Sequence, residues 1–321
     1  DQQEYAVAIC EMYRELYGKM PNPRKFPGSW NANLTSEPQR DVHRALPCVS
    51  DGLSEEANRR RRQVIIGMLL WHARSVRCDI AGYVNYLATR IHVWSARDDT
   101  FLAQLIGFLR FSAAKALTWV VPHDQELSIN VMFDANLHVP RSQCSYSVAL
   151  GNSSNQCFAL IDWSNKRASL SCTASAASEL CAAHYTTSNV SGMCQFLDEC
   201  IATSGSDREF PDTNFQLLGD NVSSLLIIQK GFSPMAGAWA SNRAYGLRLA
   251  VMHQQHIMRV FRLVHVRSAV NLADLASKVC HSRETFVFLS ELCGLSFGRP
   301  RFVIPIDRDS SPNRKLMRSL T

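Results

Sequence analysis

The chain has 321 residues, of which 46% are hydrophobic and 19% are charged, so it can bury a sizeable core in one large domain or two smaller ones. Its longest apolar runs, such as VIIGMLLW, are far shorter than the roughly 20 residues that a membrane span requires, so no membrane partner is expected. A formal net charge of +6 suits a polyanionic partner without requiring one.

The cysteines and the first residues bear on the cellular compartment. The 11 cysteines are odd in number and form no C-x-x-C pair, which is typical of reduced thiols, most of them buried, rather than of a disulfide framework. The opening stretch DQQEYAVAICEMYREL contains neither a basic leader nor a hydrophobic signal core. His253 and His256 have no second ligand pair at a suitable spacing, so zinc is not expected. We therefore expect an intracellular protein that is not secreted.

The first part of the chain is predicted to be helical. Apolar residues spaced three and four apart predict a helix over residues 1–20, and residues 21–57, beginning with PNPRKFPGSW, read as irregular. Two long helices are predicted at roughly 60–90 and 97–118. The basic run NRRRR at Asn58–Arg62 is explained equally well by a solvated helix start and by a phosphate contact.

After VVPHDQE the pattern changes to strands. LSINVMFDAN, SYSVALG and QCFALIDW predict a three-stranded antiparallel meander. The Ala-rich SCTASAASELCAAHYTT predicts a helix, FQLLGD a fourth strand running into a helix at NVSSLLIIQK, and VFRLVHV a fifth strand followed by a helix near NLADLASK. This order predicts a mixed sheet whose last strands run parallel to the first, with helices on its faces.

Four acidic residues mark these elements. Asp134 ends the first strand, Asp220 ends the fourth, Glu179 lies in the Ala-rich helix and Asp274 opens the helix after the fifth strand. Each alone is explained by a turn, a cap or an exposed helix position. If the first and fourth strands are neighbours, however, all four can converge beyond the carboxyl ends of the strands. Such a set suits Mg²⁺ or Mn²⁺, and a pair of these ions supports phosphodiester hydrolysis.

The topology and the four acids resemble the ribonuclease H fold, and the motifs are similar to those of a copia-type retrotransposon Pol polyprotein, from the end of its reverse transcriptase through ribonuclease H. The similarity extends from Gln2 to about Cys280. VIIGMLLWHARSVRCDIAGYVNYLATR looks like the family stretch IGSLLYLA.TRPDIAYAV..LSR, FDAN stands in the place of SDAD, IDWSNKRASLSCTASAASELCAA in that of ISWKSKKQ..VALSSTEAEYMAL, GDNVSSLLI in that of CDNQSAIAL, and VHVRSAVNLADLASK in that of YVPTEEQLADILTK.

The resemblance implies an α/β fold, a ribonuclease H-like mixed five-stranded sheet with flanking helices, preceded by a helical reverse-transcriptase connection. Residues 1–121 would be the reverse-transcriptase remnant, residues 122–285 the ribonuclease H-like domain and residues 286–321 a C-terminal tail. Within the tail, FVFLSELCGLSF is expected to form one more helix, and the end is polar. Because the polymerase palm is absent, no polymerase activity is expected.

The resemblance also implies the site. Asp134, Glu179, Asp220 and Asp274 would be catalytic and would hold two Mg²⁺ ions, with Mn²⁺ as the other suitable ion. Asp134 would bridge both ions, Asp274 would help to hold the ion that activates water, and Glu179 and Asp220 would hold the other. The substrate would be the RNA strand of an RNA–DNA hybrid, recognised by its shape and its 2′-hydroxyls.

Three further residues are secondary candidates. Lys166 and Arg167 stand at the positions of the family's basic pair and would contact the nucleic-acid backbone, with a solvated turn as the alternative. His265 is a candidate proton carrier for the leaving 3′-oxygen, with a structural role as the alternative. The remaining partner would be the rest of the Pol polyprotein, in a cytoplasmic retroelement particle or in the nucleus.

Departures from the family motifs leave a second hypothesis open. SAASE lacks the first Glu of TEAEY, SVRCDI replaces TRPDI, and SK replaces TK after the last acid. A catalytically inactive retroelement remnant, or a domesticated nucleic-acid-binding module with the same fold, would also explain them.

Overall fold

The computed structural model describes residues 2–28, 55–121, 126–137, 141–152, 157–172, 174–203, 213–232, 243–279 and 282–296. Most of the stretch predicted to be irregular (29–54) and most of the predicted tail (297–321) lie outside the described residues. The chain forms two compact units. The helical unit comprises residues 1–117, 278–291 and 295–299, and the sheet unit comprises residues 118–277, 292–294 and 300–321.

The described part of the helical unit contains five helices and a small two-stranded sheet. The helices are α1 (Gln2–Tyr17), α2 (Glu55–Ser75), α3 (Ala81–Arg90), α4 (Ala96–Ser112) and, from the end of the chain, α9 (Arg283–Leu292); the strands are β1 (Ala116–Leu117) and β7 (Leu295–Ser296). The rings of Phe26, Tyr83 and Phe108 surround Phe286 of α9 edge to face, at centroid distances of 5.2, 5.9 and 5.4 Å. The predicted C-terminal helix is therefore present and packs into the aromatic core of this unit.

One predicted helix is wrong in its extent. The segment expected to be a single helix over roughly 60–90 is broken, because α2 ends at Ser75 and α3 begins at Ala81. At the break Arg77 is only 1% exposed, and its guanidinium donates to both carboxylate oxygens of Asp79 at 2.9 Å and to the Ser112 carbonyl at 3.1 Å. The buried ion pair accompanies an interruption of the helix, and apolar periodicity does not reveal an ion pair of this kind. The second predicted helix also ends early, at Ser112 instead of near residue 118.

The sheet unit contains the five strands that the sequence predicts. They are β2 (Ser128–Asn136), β3 (Gln143–Gly151), β4 (Cys157–Arg167), β5 (Phe215–Gly219) and β6 (Phe261–His265). Their order is β4-β3-β2-β5-β6; β3 is antiparallel to its two neighbours, and β2, β5 and β6 are parallel. The predicted mixed five-stranded sheet, preceded by a helical region, is confirmed, and the first and fourth predicted strands are neighbours. This strand order and these directions match the topology that the ribonuclease H resemblance implies.

The two faces of the sheet carry different elements. Helices α5 (Ser175–Thr203), α6 (Val222–Lys230) and α7 (Arg243–Ile257) pack over the hydrophobic core of one face. Side chains alternate along β2, so Phe133 points into this core while Met132 and Asp134 point to the other face. There the short helix α8 (Asp274–Ser277) and the residues before it lie against the sheet, and the Leu272 amide is 3.3 Å from the Met132 sulfur. Asp134 is thus carried towards the element that bears Asp274.

A membrane-spanning helix is not found: within the described ranges every helix is too short or too polar to cross a bilayer.

Candidate metal centre

Asp134 is the most deeply buried of the predicted site residues. It lies near the carboxyl end of β2, the central strand, in which eight of the nine residues are buried, and it is itself 1% exposed. Its carboxylate oxygen Oδ2 accepts a hydrogen bond from the hydroxyl of Ser277 in α8. A carboxylate in such a position requires hydrogen-bond donors or a cation, since burial of an uncompensated charge costs several kcal/mol.

Asp220 follows the last residue of β5 and is half-buried. The next residue, Asn221, caps α6, because its side-chain oxygen accepts a hydrogen bond of 3.1 Å from the backbone amide three residues on. Before the acid, Gly219 lies against the ring of Phe133 on β2, where a Cβ would come within 2.5 Å of the Phe133 Cζ atom. Only glycine allows β5 to end this close to β2. Asp220 therefore reaches the same edge of the sheet as Asp134.

Asp274 opens α8 and is 6% exposed. Three buried or half-buried side chains of the sheet unit hold its segment in place by donating to backbone carbonyls. The Asn271 side chain donates to the Phe133 carbonyl (3.0 Å), the Ser145 hydroxyl to the Ala273 carbonyl (2.9 Å), and the Asn165 side chain to the Ala276 carbonyl (2.7 Å). Because these bonds join residues on both sides of Asp274 to β2, β3 and β4, they fix the position from which its carboxylate projects.

The three aspartates come together. Asp134, Asp220 and Asp274 each offer a carboxylate oxygen, and these oxygens all lie within 4.8 Å of one another. Ligands of one Mg²⁺ lie about 2.1 Å from the ion and hence up to about 4.2 Å apart, so small movements let all three share a single ion. Carboxylate oxygens alone form the hard donor set that Mg²⁺ and Mn²⁺ prefer. The residues therefore fit one divalent ion of the predicted kind.

Glu179, the fourth predicted ligand, is not a member of this group of carboxylates. It lies in the second turn of α5 and is 4% exposed. It is close enough to Cys144 of β3 to affect that thiol: burial raises the pKa of Cys144 to about 12, and the negative charge of Glu179 adds to the rise. The structure thus gathers three of the four predicted ligands, and the role of Glu179 stays a prediction.

Lys166 and Arg167 are the last two residues of β4, and both are exposed. With Arg248 of α7 and His184 of α5 they line a cavity of about 220 Å³, which we call the basic cavity. No Asp or Glu is among its lining residues in the described part of the chain. The Arg248 guanidinium donates to the Ser169 hydroxyl at 2.8 Å, and burial lowers the pKa of His184, so the positive charge comes from the lysine and the two arginines. The cavity is therefore suited to an anion.

His265 lies beside the aspartates in the sheet. It is the last residue of β6 and pairs in register with Gly219, the residue before Asp220. The ring is half-buried, and its Nδ1 atom makes no hydrogen bond within the described residues. A role for His265 in proton transfer stays a prediction.

Sequence reasoning did not identify the residues that hold the aspartates. Ser277 stood out only as a departure from the family's TK, yet it contacts Asp134 directly. Asn271 is a polar residue within the mostly apolar stretch VNLADLA, and only the structure shows that it is completely buried. Ser145 carried no signal, because serine is common in strands that face solvent on one side.

No protein-family model matches the chain, and no curated protein matches it. Among solved structures it is similar to RNase H1 from the halophilic archaeon Halobacterium salinarum NRC-1, with 15% identity over 46% of this chain and 90% of that chain and a TM-score of 0.27. It is also similar to the N-terminal RNase H domain of rv2228c from Mycobacterium tuberculosis, solved as a fusion with maltose-binding protein, with 13% identity over 52% of this chain and 98% of that chain and a TM-score of 0.27. TM-scores this low do not establish a common fold, so the fold rests on the strand order and directions.

Proposed function

We propose that the chain is a metal-dependent endoribonuclease that cleaves the RNA strand of RNA–DNA hybrids and belongs to a copia-type retrotransposon Pol polyprotein. The observation that carries the proposal is the meeting of Asp134, Asp220 and Asp274 within 4.8 Å at the carboxyl ends of β2 and β5. The proposal includes the division of the chain into a reverse-transcriptase remnant (1–121), a ribonuclease H domain (122–285) and a tail (286–321). It also includes the site of action, which would be a cytoplasmic retroelement particle or the nucleus.

The three aspartates, with Glu179 as the fourth predicted ligand, would hold two Mg²⁺ or Mn²⁺ ions. When bound, such ions polarise a phosphodiester, activate a water and stabilise the charge on the leaving oxygen. The protein supplies the geometry. The Ser277 hydroxyl orients the Asp134 carboxylate, and the Asn271 amide anchors the residues before Asp274 to β2. His265 would deliver a proton to the leaving 3′-oxygen from the edge of the sheet.

The hybrid would bind through its phosphates and 2′-hydroxyls. Lys166, Arg167 and Arg248 around the basic cavity provide positive charge without an acidic neighbour in the lining, which supports backbone contacts. Replacing Lys166 and Arg167 together by glutamate should weaken hybrid binding and reduce the salt dependence of its affinity by up to about two ions.

A cleavage assay tests the proposal. The purified chain is incubated with Mg²⁺ and a hybrid labelled on its RNA strand, beside single-stranded RNA and duplex DNA of the same sequence. We expect cleavage of the hybrid alone, abolished by Asp134→Asn. Asp162→Asn is the matched control, since Asp162 is a half-buried acid on β4 that accepts a hydrogen bond of 3.0 Å from the Tyr146 hydroxyl and is outside the aspartate group. Full cleavage activity of Asp134→Asn, with a circular dichroism spectrum like that of the wild type, would contradict the proposal.

A second candidate is a module that binds nucleic acid without cleaving it, either a retroelement remnant or a domesticated domain. The position of Glu179 outside the group of aspartates favours it. This candidate predicts that the chain binds the hybrid, as measured by fluorescence anisotropy, with the same affinity in EDTA and in Mg²⁺ and with no product after long incubation. Metal-dependent cleavage excludes it.

A further inference from the structure

Two thiols lie in contact at the start of α5. The sulfur of Cys172, three residues before the helix, is 3.9 Å from the sulfur of Cys181 in its second turn. The Tyr245 hydroxyl is 3.3 Å from the Cys172 sulfur, and the Arg248 guanidinium is 3.9 Å from the Cys181 sulfur. The Tyr245 phenol hydroxyl favours thiolate character at the Cys172 sulfur, because it donates a hydrogen bond to negative charge. The side-chain hydrogen bond between Cys172 and Cys181, with the one from Tyr245, lowers the pKa of Cys172, while its burial opposes the shift.

A small molecule can reach this pair. Cys181 is part of the wall of the basic cavity, whose volume of about 220 Å³ is several times the roughly 30 Å³ that a water occupies in the liquid. Exposed residues, among them Lys166 and Asn189, form part of the same lining, so the cavity is continuous with the surface. A peroxide is close to water in size. It can therefore reach the otherwise buried thiol of Cys181, whose sulfur is 3.9 Å from that of Cys172.

We propose that Cys172 and Cys181 are an oxidation site, at which a peroxide converts the two thiols into an intramolecular disulfide. The sulfur of Cys181, which lines the cavity, attacks one peroxide oxygen, the O–O bond breaks, and the departing hydroxide takes up the proton of the Cys181 thiol to leave as water. The resulting sulfenic acid is attacked by the sulfur of Cys172, 3.9 Å away, which forms the S–S bond and releases a second water with the proton of the Cys172 thiol. Two thiols and one hydrogen peroxide thus give one disulfide and two waters.

The geometry separates this pair from other cysteines of the same helix. A disulfide requires the sulfurs to approach from 3.9 Å to about 2.05 Å, which is within reach of side-chain rotation. Cys194 of α5 is buried and does not line the basic cavity, and Cys200, near the end of the helix, is exposed. Disulfides in reducing compartments are typically transient and redox-sensing. The site does not depend on the proposed nuclease activity.

Peptide mapping of the full chain tests the proposal. The reduced protein is treated with hydrogen peroxide, unfolded in the presence of N-ethylmaleimide and digested with chymotrypsin, which cuts after Leu180 between the two cysteines. We expect the Cys172 and Cys181 peptides to be recovered as one linked species, two hydrogens lighter than their sum and separated by dithiothreitol. Cys172→Ala should abolish it, whereas Cys194→Ala, the matched control in the same helix, should leave it unchanged.

Two results would overturn the proposal. One is maleimide labelling of both Cys172 and Cys181 at a peroxide dose that has already oxidised the exposed Cys200. The other is a link from either cysteine to Cys144, which lines the cavity with Cys181, in place of the link between Cys172 and Cys181. The map of the unmodified chain decides between these outcomes even if a variant does not fold, and no nuclease measurement enters it.

Discussion

Replacing Asp220 by asparagine should stabilise the protein without metal and remove its response to metal. At a separation of 4.8 Å, two unit negative charges repel by roughly 0.9 kcal/mol in the dielectric of water and about 3.5 kcal/mol at an effective dielectric of about 20. Asp220 is half-buried, so the lower value is the better guide, and it faces two partners, Asp134 and Asp274. The substitution also removes other contacts of the Asp220 carboxylate, so we expect the variant's free energy of unfolding to rise by about 1–2 kcal/mol in EDTA.

The assay is urea unfolding followed by circular dichroism, with and without Mg²⁺. Binding to the folded state alone stabilises the wild type by about 1.4 kcal/mol when the free ion is at ten times its dissociation constant. Asp220→Asn should lose most of this gain, since one of three ligands no longer carries charge. Asp162→Asn is again the control. It should be no more stable than the wild type in EDTA, because its acceptor for the Tyr146 hydroxyl is weakened, and it should keep the full response to Mg²⁺.

An Asp220→Asn variant that is less stable than the wild type in EDTA and gains as much from Mg²⁺ as the wild type does would contradict this prediction. Such a result would mean that the aspartates are held by donors that outweigh their repulsion, and that the metal-dependent gain arises elsewhere. Replacing Mg²⁺ by Ca²⁺ separates specific binding from screening, because screening would stabilise equally with either ion.

Three further predictions concern stability and use the same unfolding assay. Gly219→Ala should cost about 1–3 kcal/mol, because the new Cβ would lie 2.5 Å from the Phe133 ring, and the cost should vanish if Phe133→Leu restores space. Arg77→Met should cost about 3–5 kcal/mol by leaving the fully buried Asp79 without its guanidinium, and adding Asp79→Leu should recover much of the loss; equal stability of the single and double variants would contradict this. Burial, with the nearby charge of Arg77, lowers the pKa of His72 from 6.5 to about 4. As the pH falls, the unfolded chain therefore binds this proton before the folded chain does, so the free energy of unfolding falls between pH 6.5 and pH 4 by roughly 3 kcal/mol at most. His72→Phe should flatten that part of the pH profile.

The strands were predictable because apolar residues determine them. β2 and β5 are apolar runs ended by polar residues, and Asn221 after Asp220 is a typical helix cap, so sequence alone placed the fourth strand and its helix. The break at Arg77 was not predictable, because a buried ion pair leaves the apolar period of the helices intact. The place of Glu179 at the site stays a prediction for a different reason. Topology says which strand ends are neighbours, but a side chain's reach from a helix depends on rotamer and packing.

Neutral polar residues determine the aspartate geometry as much as the acids do. Asn271, Ser145 and Asn165 each have a backbone acceptor within 3.0 Å on the segment around Asp274 or on β2, and Ser277 donates to Asp134. Each bond contributes only about 1 kcal/mol, so none is needed for the fold to form. Their effect is on the position of the Asp134 and Asp274 carboxylates, so loss of any one of them should loosen the aspartate geometry and leave the fold intact.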